Sequence, residues 1–295
     1  MSDVRRTPMT DLSIAVNTFV WHSPLTDDLL AGTLPKIAGW GFDAVELPLE
    51  NVGDWDPART SALLSELGLR CVVGAVFGPG RELSAADPAT IDATKRYVRA
   101  AVDAAAGVGA AMVIGPMYTS VGRTCRMSPQ ERAATLRELR DSLAECAEYA
   151  GRHGIALAVE PLNRYETSLL NTAAQVRELI EDLPGNVGLN LDTYHMNIEE
   201  RDLRAAFRAA GDRLLHLQVC GNDRGAPGHD LQDWPLIRDC LTEIGYRGML
   251  GIESFTADNA SIATAASIWR PLAESQDALA VDGLRFLREW REGRS

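Results

Sequence analysis

Short apolar runs alternate with longer amphipathic stretches along the whole chain. Eight runs have the length of strands: SIAVNTF (13–19), AVELPL (44–49), RCVVGAVF (70–77), AAMVIGP (110–116), IALAVEP (155–161), VGLNLDT (187–193), LLHLQVC (214–220) and MLGIESF (249–255). Several are apolar throughout, as strands covered on both faces are. Helical periodicity occupies 58–67, 88–106, 129–151, 172–182, 200–210, 235–244 and 275–291. The stretch 129–151 shows why. Ser128 is placed to cap it, Pro129 suits the first helical position, and Leu136, Leu139 and Leu143 recur on one face before Gly151 closes it. A glycine followed by an apolar residue precedes several strands (Gly41-Phe42, Gly68-Leu69, Gly109-Ala110, Gly154-Ile155), which marks helix ends.

A β-then-α order repeated eight times within 295 residues, with no linker, predicts an α/β fold of one domain, a closed (β/α)₈ TIM barrel over 1–295 with 1–11 as a flexible lead-in. A doubly wound open sheet is the alternative, but no glycine-rich dinucleotide fingerprint follows the first strand.

Composition adds exclusions. The net charge of −12 argues against nucleic-acid partners, whose phosphates need Lys and Arg, and against anionic membranes. No apolar run is long enough to span a bilayer, and MSDVRRTPMTD carries no apolar segment after its arginines, so neither a membrane span nor a secretory signal is expected. Five cysteines (Cys71, Cys125, Cys146, Cys220, Cys240) without a CxxC pair read as free thiols of a cytoplasmic protein.

In such a barrel, chemistry sits at the carboxyl ends of the strands. Ionisable residues there are costly to bury without a task. The fifth run ends in Glu160-Pro-Leu-Asn163-Arg164-Tyr165-Glu166-Thr167 and the sixth in Asn190-Leu-Asp192-Thr-Tyr-His195. The seventh carries His216 and Gln218, followed by Asn222, Asp223 and Arg224, and the eighth ends in Glu253-Ser254. Glu160, Asp192 and Glu253 in one barrel mouth repel each other. A divalent cation neutralises them, and oxygen donors with one carbonyl or imidazole suit Mn²⁺, Mg²⁺ or Co²⁺ better than zinc. Plainer readings exist: Glu160 paired with Arg164, Asp192 as a helix cap, Glu253 as a rim charge, His216 as a hydrogen-bonded core histidine, His153 as a helix cap. Either Gln218 or His216 completes the ligand set. Trp21, Phe77, Tyr118 and Trp269 are candidate pocket aromatics.

At these residues the chain resembles the sugar isomerase/epimerase barrels (xylose isomerase-like), and within them the D-tagatose/D-psicose (ketose) 3-epimerases. The segments 160–167, 192–200 and 222–228 carry the resemblance, with Gly115-Pro116-Met117-Tyr118 as a weaker match. It implies one divalent metal ion per subunit, Mn²⁺ favoured, held by Glu160, Asp192, Gln218 and Glu253. It also implies Glu160 and Glu253 as the acid/base pair, with Glu166, His195 and Arg224 binding the substrate. Glu46 and Asn190 are further pocket candidates, and the resemblance implies a homodimer or homotetramer. Ketose 3-epimerases usually carry histidine where Gln218 stands, and glutamine there resembles the hydroxypyruvate isomerase branch.

The expected chemistry is therefore epimerisation of a free ketose at C3 through an enediolate. One glutamate removes the C3 proton and the other returns it from the opposite face. The alternatives are an aldose–ketose or hydroxypyruvate-type isomerase on the same metal site and a lyase acting on oxidised glycosides. A metal-dependent DNA-repair nuclease would want a multi-metal cluster rich in histidine, and only five histidines occur in an acidic chain. Nothing in the sequence looks like a phosphate cradle.

Overall fold

A computed structural model describes residues 9–84 and 87–294. Among them, eight parallel strands close in chain order, β1 pairing with both β2 and β8. The strands are β1 (Ser13–Asn17), β2 (Ala44–Leu49), β3 (Arg70–Ala75), β4 (Met112–Gly115), β5 (Ala156–Val159), β6 (Val187–Asp192), β7 (Leu214–Val219) and β8 (Met249–Ile252). Each predicted run contains its strand. Several runs continue past their strands into the turns that carry polar side chains at the barrel mouth, as at Glu160 and Glu253.

Helices connect the strands: α1 (Asp27–Trp40), α2 (Pro57–Leu67), α3 (Pro88–Val108), α4 (Pro129–Arg152), α5 (Ala173–Ile180), α6 (Thr193–Glu199), α7 (Leu203–Ala210), α8 (Trp234–Glu243), α9 (Ala260–Ala265) and α10 (Gln276–Arg291), with α6 and α9 lying at the barrel mouth. Their starts follow local chemistry. Asp56 accepts from the Arg59 amide at the head of α2, and Ser128 and Glu131 form a reciprocal capping box on α4. His153 is the C-cap of α4. The sequence pattern misses α1 because Gly32, Pro35 and Gly39 lower helix propensity, yet Leu30, Leu34 and Ile37 bury one face and Thr26 caps it. It also misses α6 and α9, each shorter than two full turns. The stretch expected from 200 becomes helical only at Leu203, after the cap Asp202.

Of the lead-in expected over 1–11, residues 1–8 lie outside the described residues. Met9 is buried, and its amide donates to the Arg291 carbonyl, tying the start of the described chain to α10. No helix among the described residues is long and apolar enough to cross a membrane. All five cysteines are free, and Cys125 alone among them is exposed.

Candidate active site

The carboxyl ends of the strands surround a cavity of about 740 Å³. Glu160 follows β5 directly, Asp192 ends β6, and Glu253 follows β8 directly, so the three carboxylates enter one mouth from strand ends. Asp192 carries two tasks. Its Oδ1 accepts the Tyr194 amide and caps α6, while its Oδ2 accepts Arg224 Nη1 at 2.5 Å. The cap reading therefore holds, and the same carboxylate also binds Arg224. Glu160 does not pair with Arg164, which reaches Glu199 instead. His195 Nε2 faces Glu160 Oε1 at 3.4 Å and Asp192 Oδ2 at 3.7 Å. The amide of Asn163 donates to His195 Nδ1 at 3.1 Å, and its side-chain nitrogen lies 2.9 Å away. Two donors on Nδ1 put the ring proton on Nε2, so the imidazole offers the mouth a hydrogen-bond donor. Asn163 Nδ2 also donates to Glu166 Oε1 at 2.7 Å, which fixes Glu166 on the cavity wall.

Arg224 lies between the carboxylates. Besides Asp192 it donates to Glu253 Oε2 at 3.0 Å. Its guanidinium is held between the rings of Tyr194 (4.3 Å) and Phe255 (5.0 Å). The residue adopts a left-handed backbone, φ 69°, uncommon for a side chain of this size.

Beneath the mouth lies a second polar layer, inside the barrel. Glu46 on β2 is fully buried. Its Oε1 meets His216 Nε2 at 2.7 Å, and its Oε2 accepts Asn17 Nδ2 at 2.9 Å and Gln218 Nε2 at 2.8 Å. Asn17 also donates to Glu253 Oε1 at 3.2 Å, linking the two layers. Gln218 Oε1 in turn accepts Asn190 Nδ2 at 2.7 Å. Strand register explains the proximity: Asn17 pairs with Glu46, Asn190 with His216, and Asp192 with Gln218, which pairs on its other side with Gly251. Gly251 makes room for this layer, because a Cβ there would overlap the Glu46 carboxylate and crowd His216. Gly251→Ala is accordingly expected to lower stability by about 1–3 kcal/mol, the usual cost of overpacking a filled interior. Urea unfolding measures it, and an unchanged midpoint would show that the layer can shift at no cost.

Electrostatics bear on a metal. Burial drives the Glu253 carboxyl well above its ordinary range, opposed by the Arg224 charge and reinforced by Glu160 and Asp192. Burial likewise raises Glu160, against the hydrogen bond from His195. Three carboxylates facing one guanidinium leave an excess of negative charge that a proton or a further cation must balance. Ligand-capable atoms of Glu160, Asp192 and His195 lie within 4.8 Å of one another, a spacing that could hold a metal ion. Since His195 keeps its proton on the facing nitrogen, the carboxylates are the stronger donors, and Gln218 Oε1 retains a lone pair beyond its bond from Asn190. The carboxylate oxygens of Glu160 and Asp192 in that cluster suit a hard or borderline dication.

The predicted site residues thus fall in two groups. Glu160, Asp192, Glu166, His195, Arg224, Gln218 and Glu253 adjoin the mouth; His216, Glu46 and Asn190 lie in the layer below. His216 matches the core-histidine reading, paired with Glu46. Of the candidate aromatics, Phe77 lines the cavity. Tyr118 is buried, accepting the Leu162 amide and donating to the Leu170 carbonyl. Trp21 stacks on Trp40, and Trp269 is exposed. Sequence reasoning missed Asn17, Tyr194 and Phe255. Asn17 had a usable signal, being a polar residue at the end of an apolar run.

Known proteins match this chain over most of its length. The profile of the xylose isomerase-like TIM barrel family matches residues 34–290. The chain is 31% identical over 279 residues to an L-ribulose 3-epimerase of Methylomonas sp., covering 92% of this chain and 96% of that one. It is 30% identical over 281 residues to a ketose 3-epimerase of Arthrobacter globiformis, covering 94% and 96%. A solved structure of an L-ribulose 3-epimerase superposes with a TM-score of 0.90 at 30% identity, covering 96% of this chain and 95% of that one.

Proposed function

Because the chain belongs to the xylose isomerase-like TIM barrel family, we propose that it is a divalent-metal-dependent isomerase that epimerises a free ketose at C3. The observation that carries this reading is a pair of glutamates, buried Glu160 and partly buried Glu253, entering one cavity from strands that are not neighbours. Inversion at carbon needs one group to take a proton and a second to return it from the other side. Epimerase relatives at 30% identity and above, matched over nearly their whole length, support the same chemistry.

Glu160, Asp192, Gln218 and Glu253 would hold the cation, with Mn²⁺ favoured over Mg²⁺ or Co²⁺. Bound there, it would supply Lewis acidity that lowers the barrier to removing a proton beside a carbonyl. The protein's own groups do the rest. One glutamate carboxylate takes the C3 proton and the other delivers a proton to the opposite face of the planar enediolate carbon. The raised proton affinities of both glutamates suit a group that must accept a proton from carbon. His195 Nε2–H and the Arg224 guanidinium donate to the oxygens at the carbonyl end, where negative charge develops. Glu166, braced by Asn163, accepts from a substrate hydroxyl. Among the described residues lining the cavity, Arg224 is the one Arg or Lys, against Glu50, Glu160, Glu166 and Glu253. That balance favours an uncharged sugar over a sugar phosphate.

A second reading rests on Gln218. A neutral amide at a ligand position favours an aldose–ketose or hydroxypyruvate-type isomerase, which moves the proton between C1 and C2. One experiment separates the two. The Mn²⁺-loaded protein is incubated in D₂O with free ketohexoses, ketopentoses, their phosphates and hydroxypyruvate, and deuterium is located by NMR. The expected result is label at C3 of a free ketose with its C3 epimer appearing, and slower turnover of the phosphates. Label at C1 or C2 with an aldose product would replace the epimerase reading with the isomerase one. No exchange by Mn²⁺-bound protein would overturn both and redirect attention to glycoside-derived substrates.

A further inference from the structure

We infer that Glu46, from the layer beneath the mouth, is the positioning residue that makes Gln218 usable as a metal ligand; this rests on the metal site proposed above. An amide differs from an imidazole or a carboxylate in one respect that matters here. Its oxygen can ligate a cation, its nitrogen cannot, and the two ends are nearly the same size. A glutamine ligand therefore needs something to choose which end faces the ion.

Glu46 makes that choice. Glu46 Oε2 accepts Gln218 Nε2 at 2.8 Å beside Asn17 Nδ2 at 2.9 Å, so the Gln218 amide turns its nitrogen, not its oxygen, to Glu46. The oxygen is then turned the other way, where Asn190 Nδ2 donates to it at 2.7 Å and leaves one lone pair free. Asn190 Oδ1 has no hydrogen-bond partner, so Asn190 is oriented by Gln218 rather than by contacts of its own. A carboxylate accepting from the nitrogen also draws electron density onto the amide oxygen, raising its basicity as a ligand. Glu46 is in turn over-determined. His216 donates to one oxygen, Asn17 to the other, and the missing Cβ of Gly251 leaves the space the carboxylate occupies. The buried Glu46–His216 pair thus has a task beyond filling the barrel.

The test is a double-mutant cycle on Mn²⁺ affinity, read by the EPR signal of free Mn²⁺ rather than by turnover. Glu46→Gln keeps size and shape but offers Gln218 a group that can donate as well as accept, so the amide can turn over. It is expected to weaken Mn²⁺ binding about 10–100-fold, the usual cost of losing a partner behind a ligand. Gln218→Ala should weaken binding as well. In the Gln218→Ala background, Glu46→Gln should cost less than about twofold more, because nothing remains to orient. A merely structural role for Glu46 would add its full loss in both backgrounds, and that result overturns the positioning role alone. If the wild type fails to bind Mn²⁺, or Gln218→Ala binds as tightly as the wild type, the metal assignment itself falls and the positioning role with it. Should Glu46→Gln not fold, Glu46→Asp keeps the charge, retracts the acceptor by one methylene and carries the same cycle.

Discussion

Glu253→Gln is expected to lower kcat by about 10²–10⁴-fold, the range over which a positioned acid or base contributes, while the bound metal falls only in part. The amide is nearly isosteric and can still accept from Arg224 or Asn17, the two donors that hold the carboxylate. What it cannot do is take a proton from carbon. The variant also separates two-base chemistry from simple loss of the site. Glu160 would remain as a base on one face only. One C3 epimer should then exchange its C3 hydrogen with D₂O slowly, without the other epimer appearing, and the opposite epimer should not exchange. Turnover by NMR, label position and metal content by elemental analysis make three readouts on one protein. Near-normal epimerisation would remove Glu253 from the acid/base pair; complete loss of metal would show that its first duty is as a ligand.

The barrel was legible in the chain because strands buried on both faces are written as unbroken apolar runs, and helix ends are written as glycines. The same physics made the mouth legible. Glu160, Asp192, Gln218 and Glu253 stand out as polar residues at the ends of runs that should have none. What lay beyond reading depends on partners distant in sequence. Glu46 sits inside AVELPL as a single polar interruption. Its pairing with His216, 170 positions away, follows from barrel closure rather than from local pattern. Arg224 is likewise visible as a basic residue in a loop, but its place between Asp192 and Glu253 is set by a left-handed backbone and by two rings from other segments. Helix α1 was hidden for the opposite reason: its apolar face is intact, but Gly32, Pro35 and Gly39 weaken the local signal that periodicity relies on.

Arg224→Ala should destabilise the metal-free protein by about 3–5 kcal/mol, the usual cost of removing one partner from a buried ion pair. Alanine carries the same Cβ as arginine, so the strain of φ 69° is common to both and the difference reports the guanidinium. The side chain is buried, and burial opposes its charge; the Asp192 and Glu253 carboxylates override that and hold it cationic. Without it, no Arg or Lys among the described residues lining the cavity stands beside Glu160, Asp192 and Glu253. Two responses remain, uptake of protons or binding of a dication, and each predicts a measurable sign. Both glutamates have folded-state pKa values above the ordinary carboxylate range, driven mainly by burial. Their protonation therefore supports the fold fully below the unfolded carboxylate pKa, and this support is lost as pH rises through the raised values. Arg224 restrains that rise, so in the variant the loss should continue to higher pH than in the wild type. A bound dication stabilises the folded state in proportion to its affinity, and it replaces the missing positive charge directly. Urea unfolding with and without saturating Mn²⁺ should consequently give a larger metal-induced gain for the variant than for the wild type. Equal gains, or a metal-free variant as stable as the wild type, would mean that the guanidinium is not what balances the three carboxylates.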